Sequence, residues 1–178
     1  MEDKTNTPEE ILELVDENDN VIGEVLKREA NKDPRLWHRE AAVLLYSADK
    51  KILFQKRSLK KLVAPGEWQI TAAGHVTKGL TTLEAAHKEL KEELGFDAEL
   101  KFIDKNLVKK SNETHFTYRY IGKYAGQKIE MEKDEVEEAQ LFSEAAFDKL
   151  ISNGVLYNDH SYVLAKRFWK GEFNNLIA

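Results

Sequence analysis

The sequence predicts an α/β protein: a mixed β-sheet in an α/β/α sandwich, with a β-hairpin at its N-terminal end. Three observations predict it. Apolar runs of strand length, bounded by turn residues, lie on both sides of the middle of the chain. One well-capped amphipathic helix separates them, and two more helical periods follow the last strand. Strands, a central helix, strands and terminal helices make a sheet that must be covered on two faces. The 178 residues are read as one domain over 11–178, preceded by a frayed polar tail at 1–10.

In chain order, residues 11–15 and 21–25 are β-branched or leucine-rich runs around Asp16-Glu17-Asn18-Asp19-Asn20, which supplies turn chemistry for a hairpin. Residues 41–46 and 51–57 read as a second hairpin, and the unbroken apolar run of the first suggests burial on both faces. Residues 81–94 are the clearest helix. Thr81 and Glu84 fit a capping box, Leu83, Ala86, Leu90 and Leu94 repeat as a buried stripe, and Gly95 stands where a left-handed cap is wanted. Strands follow at 98–108, 114–124 and 136–142, and helices at 143–151 and 161–169. The last helix and its aromatic tail can pack on the domain or on a second copy as a homodimer; the sequence leaves both open.

Composition narrows the function. Thirty-two acids against 27 bases give a net charge of −5, which argues against a coat for nucleic acid. The absence of cysteine excludes disulfides, thiolate metal sites and thiol nucleophiles, and it fits a reducing compartment. Residues 1–10 lack the apolar centre of a signal peptide, and the longest apolar run, 41–46, is far short of the ~20 residues of a membrane span. The expectation is a cytoplasmic protein without a membrane partner.

The chemistry concentrates between Gly74 and Phe96. Glu89, Glu92 and Glu93 stand at i, i+3 and i+4, on one side of the predicted helix. Taken alone, that spacing fits a solvated helix face. The small residues Ala72-Ala73-Gly74, read as a loop, permit close backbone approach and point instead to a cation among the carboxylates. Mg²⁺ suits such oxygens and keeps positions open for phosphate.

At this segment the chain resembles the Nudix box: Gly, five residues, Glu, seven residues, then Arg-Glu-apolar-any-Glu-Glu-any-Gly-apolar. Seven of the nine fixed positions match, at Gly74, Glu89, Leu90, Glu92, Glu93, Gly95 and Phe96. Two depart: Leu80 replaces the first glutamate, and Lys88 replaces the arginine, keeping its charge but not its bidentate fork. The resemblance implies the Nudix fold and metal-dependent hydrolysis of a diphosphate linkage with Mg²⁺ or Mn²⁺. It also implies roles. Glu92 and Glu93 are the principal ligands, Glu89 binds metal or activates water, and the Ala73 carbonyl is a further ligand. Glu135 is chosen as a fourth carboxylate, with Glu138 and Glu113 as rivals.

The likeness runs from about Glu10 to Leu150. Leu14 to Gly23, Arg28, His38-Arg39-Glu40-Ala41, Lys56-Arg57-Ser58 and Pro65 to Ile70 resemble the subfamily related to isopentenyl-diphosphate isomerase. Those isomerases carry a cysteine where Ala73 stands, and they bind metal through two later glutamates, of which Ser111-Asn112-Glu113 keeps one. The resemblance therefore implies an isomerase-related hydrolase acting on a small-molecule diphosphate, such as a nucleoside diphosphate derivative. An isomerase-like enzyme and a catalytically silent binding module are the alternatives. His38 and His75 match isomerase ligand positions and, without their partners, read as structural or substrate-facing. Lys56 and Arg57 fit phosphate contacts. Trp68, Phe116 and Tyr118 could stack on a base, but aromatics in strands are more often core.

Overall fold

The structure, a computed structural model, describes residues 9–177. Most of the expected tail, residues 1–8, lies outside them. Glu9 and Glu10 are held by ion pairs to Arg28 and Lys27, at 2.7 and 2.6 Å.

Two strands, β1 (Ile11–Val15) and β2 (Val21–Leu26), form the antiparallel N-terminal hairpin. The short helix α1 (Lys27–Ala30) follows directly. The main sheet has seven strands: β3 (His38–Tyr46), β4 (Ile52–Arg57), β5 (Trp68–Ile70), β6 (Ala72–His75), β7 (Leu100–Lys109), β8 (Thr114–Lys123) and β9 (Val136–Phe142). β3 and β8 run parallel and the other pairs antiparallel, so the sheet is mixed. Helix α2 (Thr82–Leu94) covers one face; α3 (Glu144–Ser152), α4 (Asp159–Trp169) and the short α5 (Asn174–Ile177) lie on the other.

Strand alternation sorts the core. Ala41, Val43 and Leu45 turn toward α2, where Ala86, Leu90 and Leu94 meet them. Ala42 and Leu44 turn the other way, toward Phe54, Phe147, Leu164 and Phe168. The two-sided burial expected of 41–46 holds for Ala41 through Leu45. Helix α4 packs on its own sheet through Leu164, Ala165 and Phe168. No helix among the described residues is long and apolar enough to cross a membrane.

Four expectations need correction. The buried stripe of α2 omits Leu83, which is 39% exposed, and includes Glu93 at 5%. The segment expected as a loop at Ala72-Ala73-Gly74 is strand β6, paired with β3. The second hairpin pairs only at Leu45↔Leu53 and Tyr46↔Ile52, because β6 takes the rest of that edge of β3. Thr71 fills the fork: its Oγ1 accepts from Leu45 N–H at 2.8 Å and donates to the Leu53 carbonyl at 2.7 Å. Finally, α4 begins at Asp159, two residues earlier than expected, because the Asn158 side chain caps it through Ser161 N–H at 2.9 Å.

Candidate active site

A cavity of about 530 Å³ is bordered by β3, β5, β6 and β8 and by the end of β4, and it reaches both faces of the sheet. On the α2 side it is lined by Glu89, Glu93, Glu135 and Arg57. On the other side it is lined by His75, Glu113 and His115.

The helix that carries the glutamates is fixed at both ends. Thr81 and Glu84 form the expected capping box, and Gly95 takes the left-handed cap at φ +77°. Its Cβ position is filled by Glu130, so only glycine fits. Glu130 N–H donates to the Leu94 carbonyl at 2.8 Å and Glu132 N–H to the Glu93 carbonyl at 3.0 Å. These bonds dock the 130–135 segment on the end of α2 and bring Glu135 to the cavity.

Glu93 is buried, and Gln55 Nε2 donates to its Oε2 at 2.7 Å. Burial, reinforced by the charge of Glu89, pushes its carboxyl up to about 8. Burial pushes Glu89 up to about 7 against the pull of Lys88. A Cβ on Gly74 would occupy the Glu89 carboxylate, which explains the glycine of β6. Glu135 is held by Lys61, Nζ to Oε2 at 2.5 Å. Two crowded carboxyls, one buried and one partly buried, that resist ionisation are a hard-oxygen donor set suited to a divalent cation.

Not every candidate residue converges. Glu92 is more than half exposed and pairs with Lys88 at 3.0 Å, outside the cavity lining. Lys56 alternates away from Gln55 onto the other face, and Lys61 stands at the cavity instead. Ala73 and Arg57 line the cavity, with Arg57 Nε donating to the Val63 carbonyl at 3.1 Å. Of the rival carboxylates, Glu113 lines the cavity and Glu138 does not. Trp68 and Phe116 are core, and Tyr118 donates its hydroxyl to Asp19.

A second cluster surrounds His38. It is buried, its Nδ1 lies 3.1 Å from the Leu36 carbonyl, and its Nε2 has no partner among the described residues. His75 stacks on it at 5.0 Å and lies 2.9 Å from Asn31 Oδ1. One ligand atom each from His38, His75 and Glu113 falls within 4.8 Å of the others. Burial lowers all three neighbouring histidines, His115 to about 4. Sequence reasoning missed His115, Gln55, Lys61 and Arg119. The parallel register His38↔His115, Glu40↔Thr117, Ala42↔Arg119 puts the β8 residues on the cavity face, and nothing in the sequence announces a pairing between strands so far apart.

The NUDIX domain model matches residues 36–166, most of the chain. The chain belongs to the Nudix family. Isopentenyl-diphosphate Delta-isomerase of Serratia proteamaculans is 32% identical over 124 residues, spanning 67% of this chain and 69% of the relative. A Nudix hydrolase of Clostridium acetobutylicum is 28% identical over 187 residues, spanning 93% and 90%. Among solved structures, DR0079 from Deinococcus radiodurans superposes with a TM-score of 0.75 over 89% of this chain and 98% of that one, at 18% identity. The Nudix helix here is α2, and the fold expected from its glutamates is the fold observed.

Proposed function

We propose that this Nudix chain hydrolyses a diphosphate linkage in a nucleoside diphosphate derivative or a related nucleotide, using Mg²⁺ or Mn²⁺. The observation that carries the reading is the pair Glu89, partly buried, and Glu93, buried, side by side on α2 at the cavity with carboxyls raised to about 7 and 8. A cation bound there would offset phosphate charge and make its bound water more acidic.

The residues divide the work. Glu93, oriented by Gln55, would hold the ion with Glu89, Glu135 and the Ala73 carbonyl, and Glu92 would join them by exchanging Lys88 for the cation. Glu89 accepts the proton of the attacking water. Arg57 and Lys61, which line the same end of the cavity, would bind phosphate oxygens, Lys61 by exchanging Glu135 for phosphate. His75, stacked on the buried His38, lines the side that receives the rest of the substrate.

The test is a panel of nucleoside diphosphate derivatives incubated with Mg²⁺, with products identified by ³¹P NMR. Turnover is expected for at least one, and Glu93→Gln should lower kcat by about a hundredfold or more. A Glu93→Gln protein as fast as wild type removes Glu93 from the mechanism.

One observation favours a second reading. The His38, His75 and Glu113 cluster, with the isomerase relative, fits isomerisation of a prenyl diphosphate. Against it, the chain has no cysteine to act as acid or base. Formation of dimethylallyl diphosphate from isopentenyl diphosphate would replace the hydrolase reading with this one.

A further inference from the structure

The cavity has an end that the diphosphate chemistry does not use. Across three adjacent strands, Ala73 pairs with Ala42, and Ala42 with Arg119. All three side chains border the cavity, with Ile70 and Leu164. The alanines, Ile70 and Leu164 supply apolar surface there, beside the polar side chains of Gln69, Thr117 and Ser161. Arg119 stands at its edge, two strands or roughly 10 Å from Ala73. Glu89 lies against Gly74, the neighbour of Ala73, and lines the same cavity as Arg119, so a ligand with its phosphates at Glu89 has room to extend its other end toward Arg119.

Arg119 is prepared for contact. Its side chain is 14% exposed, and its Nε donates to Asp104 Oδ1. Asp104 also accepts from Arg167 Nη1 at 2.8 Å, and Arg167 Nε donates to Glu172 at 2.8 Å. Two guanidinium groups thus face two carboxylates, so the charge of Arg119 is balanced locally. A balanced guanidinium suits a neutral acceptor better than a second phosphate. Among the described residues, the terminal amino groups of Arg119 have no acceptor. They form a planar fork of two donors.

Resting on the nucleotide reading above, we infer that Arg119 is a specificity residue that selects a nucleobase presenting two adjacent acceptors. Cytosine offers O2 and N3, and guanine offers O6 and N7. Adenine and uracil each place an N–H in the matching edge and leave one donor of the fork unpaired once the base has displaced its water, which is costly.

Binding tests this without turnover. Calorimetry with Mg²⁺ would compare cytidine, guanosine, adenosine and uridine 5′-monophosphates, none of which contains a diphosphate to cleave, with ribose 5-phosphate as the base-free control. Wild type should bind the cytidine or guanosine nucleotide about tenfold tighter than the other two, the discrimination of one bidentate contact. Arg119→Gln should erase that preference and leave ribose 5-phosphate unchanged. Arg119→Lys should erase it too, because lysine keeps the charge without the fork. Asp104 keeps Arg167 in both variants, so the fold should persist, and unchanged melting temperatures check it. Base-indifferent or absent nucleotide binding by wild type overturns the inference. So does a preference that survives in Arg119→Gln, or ribose 5-phosphate weakened with it. Failure of the hydrolysis reading is distinguishable: base-selective binding with no diphosphate cleaved.

Discussion

Gly74 shows how one residue can be both a motif position and a spatial requirement. The sequence marks it as the first fixed residue of the Nudix box; the structure gives the reason, since any Cβ there falls on the Glu89 carboxylate. That carboxylate is the far end of a flexible side chain, so Gly74→Ala displaces Glu89 rather than the fold. The expected outcome is a melting temperature within a few degrees of wild type and a kcat reduced about tenfold or more, measured on the best substrate of the diphosphate panel. Unchanged kcat would show that the placement of Glu89 is immaterial. Glu92 is the opposite case. The motif spacing gives it the same standing as Glu93, yet one lies out with Lys88 and the other is buried on Gln55. Spacing along a helix fixes a side within about a quarter turn and cannot say which member of the group meets the sheet.

At the scale of elements, α2 was the most legible, because its caps are local. Thr81, Glu84 and Gly95 act within a few residues of their own positions, and each does what the sequence indicates. Thr81→Ala should cost about 1 kcal/mol in chemical denaturation, by removing one side of the capping box. Gly95→Ala should cost about 2 kcal/mol or more, since a side chain is forced into the left-handed region and against Glu130. Equal stability of both variants and wild type would mean that the caps are not holding α2. Strands β5 and β6 were not legible. Each has only three or four residues, and β6 reads Ala-Ala-Gly-His with no β-branched or aromatic strand former, so its strand character comes from its pairing with β3. The β3–β4 hairpin was half legible: its turn is local, but the fork above it is made by partners distant in the chain.

For the whole molecule, the sandwich and the glutamate helix could be read in advance, whereas the joining of two clusters in one cavity could not. That union depends on the parallel β3–β8 register. It also sets a pH response of the metal-free protein. Glu89 and Glu93 keep protons to about 7 and 8 in the fold but release them near 4.5 when unfolded, so their effect is to lower stability as pH rises through that interval. Burial holds His38, His75 and His115 neutral, so they lower stability as pH falls below about 6.5. Between about pH 4.5 and 6.5 the two sets oppose each other; above that range the carboxyls set the slope, with Glu40, also raised by burial, acting in the same direction. Melting temperatures without divalent cation should therefore decline from pH 6.5 to 8, and added Mg²⁺ should restore them more at pH 8 than at pH 6. A metal-free melting temperature that rises across that interval would contradict the protonation states assigned to the two glutamates.

The most direct measurement is anomalous diffraction from a crystal soaked in Mn²⁺. A peak between Glu89 and Glu93, beside the Ala73 carbonyl, is the expected result. No peak there, with manganese confined to His38, His75 and Glu113 or absent altogether, would contradict a hydrolytic centre on α2.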